Sequence, residues 1–193
     1  VGLEWIGNLL NLARVTRWRL ALALRGGRIG RRCAIAPRVR IESGRGRPII
    51  LGDGVRLQRG VVLSTAAGGR IALEDRVYVG EYGTVRSAAL VRIARDTIVA
   101  PHARIVDFER HADGPTLDAP PDNARAAPIR IGRDVWFGAG VRVLGGVTIG
   151  DQAVLGAGAL ADADVPERAV ALGVPARVVR RRGMAQDRET PAP

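Results

Sequence analysis

Lysine is absent from this chain. All 30 basic residues are arginine, they face 19 acidic ones, and the formal charge is +11. Such an excess favours anionic partners: nucleotide phosphates, phospholipid head groups or acidic glycans. Aromatic residues make up only 4%, which leaves no core of large rings. It also leaves no basic segment interleaved with aromatics, so nucleic acid is not an expected partner. A single cysteine, Cys33, rules out an intrachain disulfide and argues against a secreted disulfide scaffold. Only two histidines are present, His102 and His111. A His/Cys zinc centre within one subunit is poorly supplied, and no metal site is expected. Long apolar runs are missing too. Residues 3–24 are rich in Leu and Trp, but Glu4, Arg14, Arg17 and Arg19 interrupt them, which makes a poor membrane span and a poor signal peptide.

What the chain has in quantity is glycine (25) and an apolar share of 47%. The apolar residues recur every sixth position: Ile131, Phe137, Val143, Ile149 and Leu155, each followed four places on by Val135, Val141, Val147, Ala153 or Ala159. Period six belongs to neither a helix nor a simple alternating strand. It marks a hexapeptide solenoid, each unit a short strand and a turn. The same period runs through Ile29, Ile35, Ile41; Leu51, Leu57, Leu63; Leu73, Val79, Val85; and Ile93, Val99, Ile105. Three units make one triangular coil, and each break in phase falls after a third unit, where an insertion leaves the coil intact.

These features predict an all-β chain: a parallel β-helix of hexapeptide repeats over 29–182, with an N-terminal helical arm at 1–28. The arm reads as one or two helices capping the array. A second reading lays Trp5 and Trp18 in a membrane interface, with Arg14, Arg17 and Arg19 on head groups. One long external loop, about 107–130, interrupts the array, and a break of that length is a candidate for function. Ala176–Arg182 is expected to leave the array as a basic segment, and 183–193 reads as a disordered tail.

From Asp134 to Gly140 (Asp-Val-Trp-Phe-Gly-Ala-Gly) the sequence resembles the hexapeptide-repeat O-acetyltransferases, especially the galactoside and maltose acetyltransferases and those of polysaccharide biosynthesis. Gly145–Gly150, Gly156–Ala159 and Gly173–Ala176 follow in the family's order and spacing. The resemblance implies a left-handed β-helix, a homotrimer, and acyl-CoA lying between neighbouring subunits. It also implies transfer from acetyl-CoA to a hydroxyl of a saccharide or glycan precursor, in the cytoplasm or at the inner face of the membrane. One departure is clear. The family's Thr-Lys is replaced by Asp162-Ala163, so Arg177, Arg180, Arg181 or Arg182 would have to meet the nucleotide phosphates.

Moving an acyl group from a thioester to a hydroxyl needs a base and donors for the oxyanion. Imidazole is the natural base, its ordinary pKa of about 6.5 lying near working pH. His111 opens the long loop, close to where the family carries its catalytic histidine but one residue later. His102 occupies a turn slot and remains the alternative. Asp107 or Glu109 would orient the imidazole. Trp136, Gly138, Ala139, Gly156 and Ala157 are the expected cofactor-binding positions, although tight turns also demand glycine and Trp136 also suits plain packing. No Gly-x-Ser-x-Gly elbow occurs, so direct attack on the thioester is simpler than an acyl-enzyme. One rival reading remains, a β-helix serving only as a structural or assembly module; a γ-type carbonic anhydrase needs three zinc-binding histidines, and the two present argue against it.

Overall fold

Inward-pointing aliphatic side chains, one every six residues, stack coil upon coil along the axis of the molecule. The computed structural model describes residues 4–44, 46, 48–66, 68–109 and 125–183. Within them the chain forms a parallel β-solenoid with three sheets, consistent with the left-handed β-helix that the repeats imply. The first sheet runs from Arg28–Ile29 through Ile49–Leu51, Arg70–Leu73, Leu90–Ile93 and Ile129–Ile131 to Thr148–Ile149. The second begins at Ala34–Ile35 and includes Tyr78–Val79, Ile98–Val99, Trp136–Phe137 and Val154–Leu155. The third begins at Arg40–Glu42 and includes Thr84–Ser87, Arg104–Val106, Arg142–Val143 and Leu160–Ala161. Register is in step between coils: Val99 lies beside Phe137, and Phe137 beside Leu155.

Every residue of the six-residue series, from Ile29 to Leu155, is buried, and so are Ala161 one period further on and Val135, Val141, Val147, Ala153 and Ala159. The aliphatic core follows from the shortage of aromatics, with Phe137 the largest fully buried side chain. A strand in such an array pairs on both sides, which leaves free edges only at the two ends.

One helix, Glu4–Ala23, covers the amino-terminal edge. It buries Val15 and Leu22 against the first coil and packs Trp18 on the core. The Asn11 side chain stands in for a missing strand: its Nδ2 donates to Cys33 O at 3.2 Å, and its Oδ1 accepts from Ile35 N at 2.9 Å. Arg14 Nε donates to Ile35 O at 2.7 Å. The helix ends in a Schellman motif, with Gly26 at φ +82° and Gly27 N donating to Leu22 O. Leu9, Leu12, Leu20 and Leu24 remain exposed on the side away from the coil. No described helix is long and apolar enough to cross a membrane.

The carboxy-terminal edge is covered differently from the sequence expectation. The basic segment does not depart: Arg177–Arg181 turns back and pairs antiparallel with Ala169–Leu172. The last parallel strand of the second sheet would otherwise expose its ladder, and the returning arginines occupy it.

Candidate active site

Three sheets meet at three corners, and the turns at each corner repeat with the coils. The corner between the first and second sheets gives the reference pattern. Its third turn position is left-handed in every coil: Arg32, Gly54, Arg76, Asp96, Asp134, Gln152 and Arg168. The second position is charged throughout, and its side chain serves the neighbouring coil. Asp53 accepts from Arg31 N at 2.8 Å, Asp75 from Asp53 N at 2.8 Å, and Asp151 from Arg133 N at 2.8 Å. The Arg133 backbone N–H and guanidinium hold the Asp151 carboxyl below the ordinary carboxylate range. Left-handed turns in this fold therefore accept charged, full-sized side chains.

Against that reference, the corner between the second and third sheets changes character along its length. Its left-handed positions are Arg38, Gly60, Tyr82, His102, Gly140 and Gly158, and its second positions are Pro37, Arg59, Glu81, Pro101, Ala139 and Ala157. In the last two coils both positions carry glycine or alanine. Two kinds of glycine separate here. Gly138 and Gly156 are required by packing: a Cβ at Gly138 would lie 2.5 Å from Ala157 N, and one at Gly156 would meet the Leu172 side chain. Gly140 and Gly158 face no such obstacle, with nothing closer than 4.0 Å to a Cβ at the first and open space at the second. A side chain would fit there, as Asp134 and Gln152 do at the reference corner. Without one, the backbone of these two turns stays uncovered along a strip called the trough below.

The trough also presents donors. At the reference corner the second-position N–H groups of Arg31, Asp53 and Arg133 are taken by a carboxylate of the next coil; here the next coil offers Ala157 to Ala139. Among the described residues no hydrogen bond takes up the Ala139 or Ala157 N–H. Trp136, 55% exposed, stands on the outer face of the second sheet just before the trough, beside Ile98. The sequence singled out Gly138, Ala139, Gly156 and Ala157, and all four line this one corner. Missed were Gly140 and Gly158, detectable by comparing turn positions between corners.

Arg177 continues the trough at its carboxy-terminal end, paired across from Leu172 above Gly156. Its Nη1 lies 3.2 Å from Asp162 Oδ1, so one of the two residues standing where the family has Thr-Lys engages one of the four candidate arginines. Arg180 pairs with Val170 instead, part-way back across the sheet. Arg182 reaches Asp134 at the reference corner, 3.1 Å away.

All the insertions fall on the third corner, between the third and first sheets. Asp107 sits there, fully buried. Its carboxylate accepts from Ser87 Oγ at 2.6 Å, Ala88 N at 2.7 Å and Ala89 N at 3.0 Å. Its backbone carbonyl accepts from Ala127 N at 2.8 Å. The long loop thus leaves and returns across one residue, and Phe108–Glu109 pairs antiparallel with Arg125–Ala126 to close its base. His111 lies outside the described residues. His102 lies at the trough corner, its ring stacked on Tyr82 with centroids 5.5 Å apart and planes 9° from parallel.

Cys33 is remote from both corners' chemistry. It is buried under the helix, and burial pushes its thiol up. The thiol form is not a nucleophile, in keeping with transfer that does not pass through this cysteine. Among the described residues no group of three or more His, Cys, Asp and Glu is placed to hold a metal ion.

Comparison with known proteins fits this geometry. The family model for the bacterial transferase hexapeptide (six repeats) matches residues 128–160, the two coils that form the trough. The Escherichia coli K12 protein named "Putative lipopolysaccharide biosynthesis O-acetyl transferase WbbJ" is 34% identical over 137 residues, 66% of this chain and 70% of that protein. A Mycobacterium tuberculosis protein named "Probable acetyltransferase" is 32% identical over 117 residues, 61% of this chain but only 39% of its own length. Among solved structures, AntD, an N-acyltransferase from Bacillus cereus in complex with dTDP and 3-hydroxybutyryl-CoA, superimposes with a TM-score of 0.71. The match is at 17% identity and covers 86% of this chain and 88% of that one. At that identity the likeness speaks to the fold.

Proposed function

This chain belongs to the hexapeptide-repeat acetyltransferases, and from that premise we propose that it transfers an acetyl group from acetyl-CoA to a hydroxyl of a saccharide or glycan precursor. The observation that carries this reading is the trough: two coils whose turns carry only glycine and alanine, where every turn of the reference corner carries charge. A pantetheine arm is slender and carries amide carbonyls, which suits a trough whose floor is backbone donors. Arg177 at the trough's far end suits the nucleotide phosphates, and an acyl-CoA donor implies work in the cytoplasm. The name of WbbJ favours oxygen over nitrogen as the acceptor atom and a glycan as the substrate.

His111 is the base in this reading. It takes the proton of the acceptor hydroxyl, the oxygen attacks the thioester carbonyl, and CoA leaves as the thiolate and is protonated. The N–H of Ala139 serves the oxyanion. Trp136 borders the reacting end. Asp107, its carboxylate already serving three donors of its own corner, acts on His111 by fixing the departure of the loop, and Glu109 lies nearer to the imidazole in sequence.

Loop and trough leave one subunit from opposite edges of the third sheet. In this reading the chain is a homotrimer, and the site is completed between copies. Gly158→Gln tests the reading, since Gln152 already adopts the same left-handed conformation. The variant should fold, at a cost of about 1 kcal/mol for the left-handed side chain, and bind CoA at least tenfold more weakly by calorimetry. Unaltered CoA affinity would remove the trough from the mechanism. Arg177→Ala should raise the KM for acetyl-CoA several-fold with kcat little changed, measured by thiol release; an unchanged KM would exclude its phosphate role.

A further inference from the structure

We infer that the stacked rings of Tyr82 and His102 form a stop that limits the length of the transferred acyl group. The inference rests on the acyl-CoA reading of the trough and adds a specificity determinant to it. After Arg38, the left-handed positions of this corner run Gly60, Tyr82, His102, Gly140, Gly158. Two rings therefore stand between Gly60 on one side and Gly140 and Gly158 on the other, each level about 4.8 Å from the next.

The rings are held in place. Tyr82 lies directly on the backbone of Gly60, where a Cβ would come within 2.5 Å of its Cδ1. His102 lies flat on Tyr82, so one face of the imidazole is covered and the other is turned toward the level of Gly140. The left-handed position carries no side chain at that level or the next, where Gly140 and Gly158 stand. The rings are thus the end wall of the trough. With the phosphates toward Arg177, the carrier runs past Ala157 and then Ala139, and the acyl group arrives at His102. An acetyl group ends before the wall. A hexanoyl group is four carbons longer, about one further coil spacing, and runs into the imidazole.

Removing the wall requires no backbone change, because glycine adopts the left-handed conformation more readily than tyrosine or histidine does. The test measures the affinities of CoA, acetyl-CoA and hexanoyl-CoA by calorimetry on the full chain, on His102→Gly, and on the double variant Tyr82→Gly/His102→Gly. The wild-type chain should bind hexanoyl-CoA at least tenfold more weakly than acetyl-CoA. The double variant should cut that ratio at least tenfold, with the single variant between. An unchanged ratio would overturn the stop, as would equal binding of both acyl-CoAs by the wild type. Loss of CoA binding in the variants would overturn it as well, because the rings would then hold the carrier. Failure of the wild-type chain to bind any of the three would instead overturn the acyl-CoA reading, and the stop with it.

Discussion

His111→Ala is expected to lower kcat by roughly 10²–10⁴-fold, the usual contribution of a positioned general base, while leaving CoA affinity within a few-fold of the wild type. The reason is geometric. The trough is built by two coils beyond the loop, and its donors, floor and cation owe nothing to position 111. Thiol release with a panel of sugars measures the first effect and calorimetry the second. Full turnover in the variant would dismiss His111 as the base. If His102→Ala instead abolished turnover and His111→Ala did not, the base would be the histidine at the trough corner. Mixing offers a further check on the shared site. Co-assembled His111→Ala and Gly158→Gln chains should regain part of the activity that each lacks alone, since some interfaces would pair an intact loop with an intact trough.

Asp107→Ala is expected to cost about 3 kcal/mol, because it strands the Ser87 hydroxyl and the N–H groups of Ala88 and Ala89 in a corner that holds a fully buried acceptor. For a chain of this size that is a fall of ~6–12 °C in melting temperature. Turnover should fall further than the lost stability explains at a temperature where the variant is still folded, because the residue closing the loop's base has gone. Ser87→Ala removes one of the three donors and should cost less. A melting temperature within 2 °C of the wild type would show that the corner holds without the carboxylate.

Much of this architecture was legible in the sequence, and the reason is periodicity. An apolar residue every sixth position must point inward in every coil, so Ile29, Phe137 and Leu155 could be assigned to the core without knowing what they touch. The phase breaks were equally readable, because a corner tolerates extra residues and a strand does not. The candidate site was half legible. Gly138, Ala139, Gly156 and Ala157, expected from the motif as cofactor-binding positions, fall on one corner. Yet the glycines that keep the trough open, Gly140 and Gly158, stand out only beside Asp134 and Gln152, whose shared backbone conformation no single-sequence pattern reveals. Asp107 looked like a loop carboxylate. Its burial depends on Ser87, twenty residues away in the chain and one coil away in space. The return of Arg177–Arg181 onto the second sheet was hidden for a similar reason: the charge pattern spoke for solvent, while the open strand edge decided the matter.

Insertions confined to a single corner have a consequence for how such a molecule can change. Residues added between the third and first sheets alter neither the stacked core nor the trough, which belongs to a different corner. Acceptor preference, if the loop sets it, can then drift by lengthening or shortening one segment while donor recognition stays as it is. The two halves of the reaction would be inherited separately within one short chain.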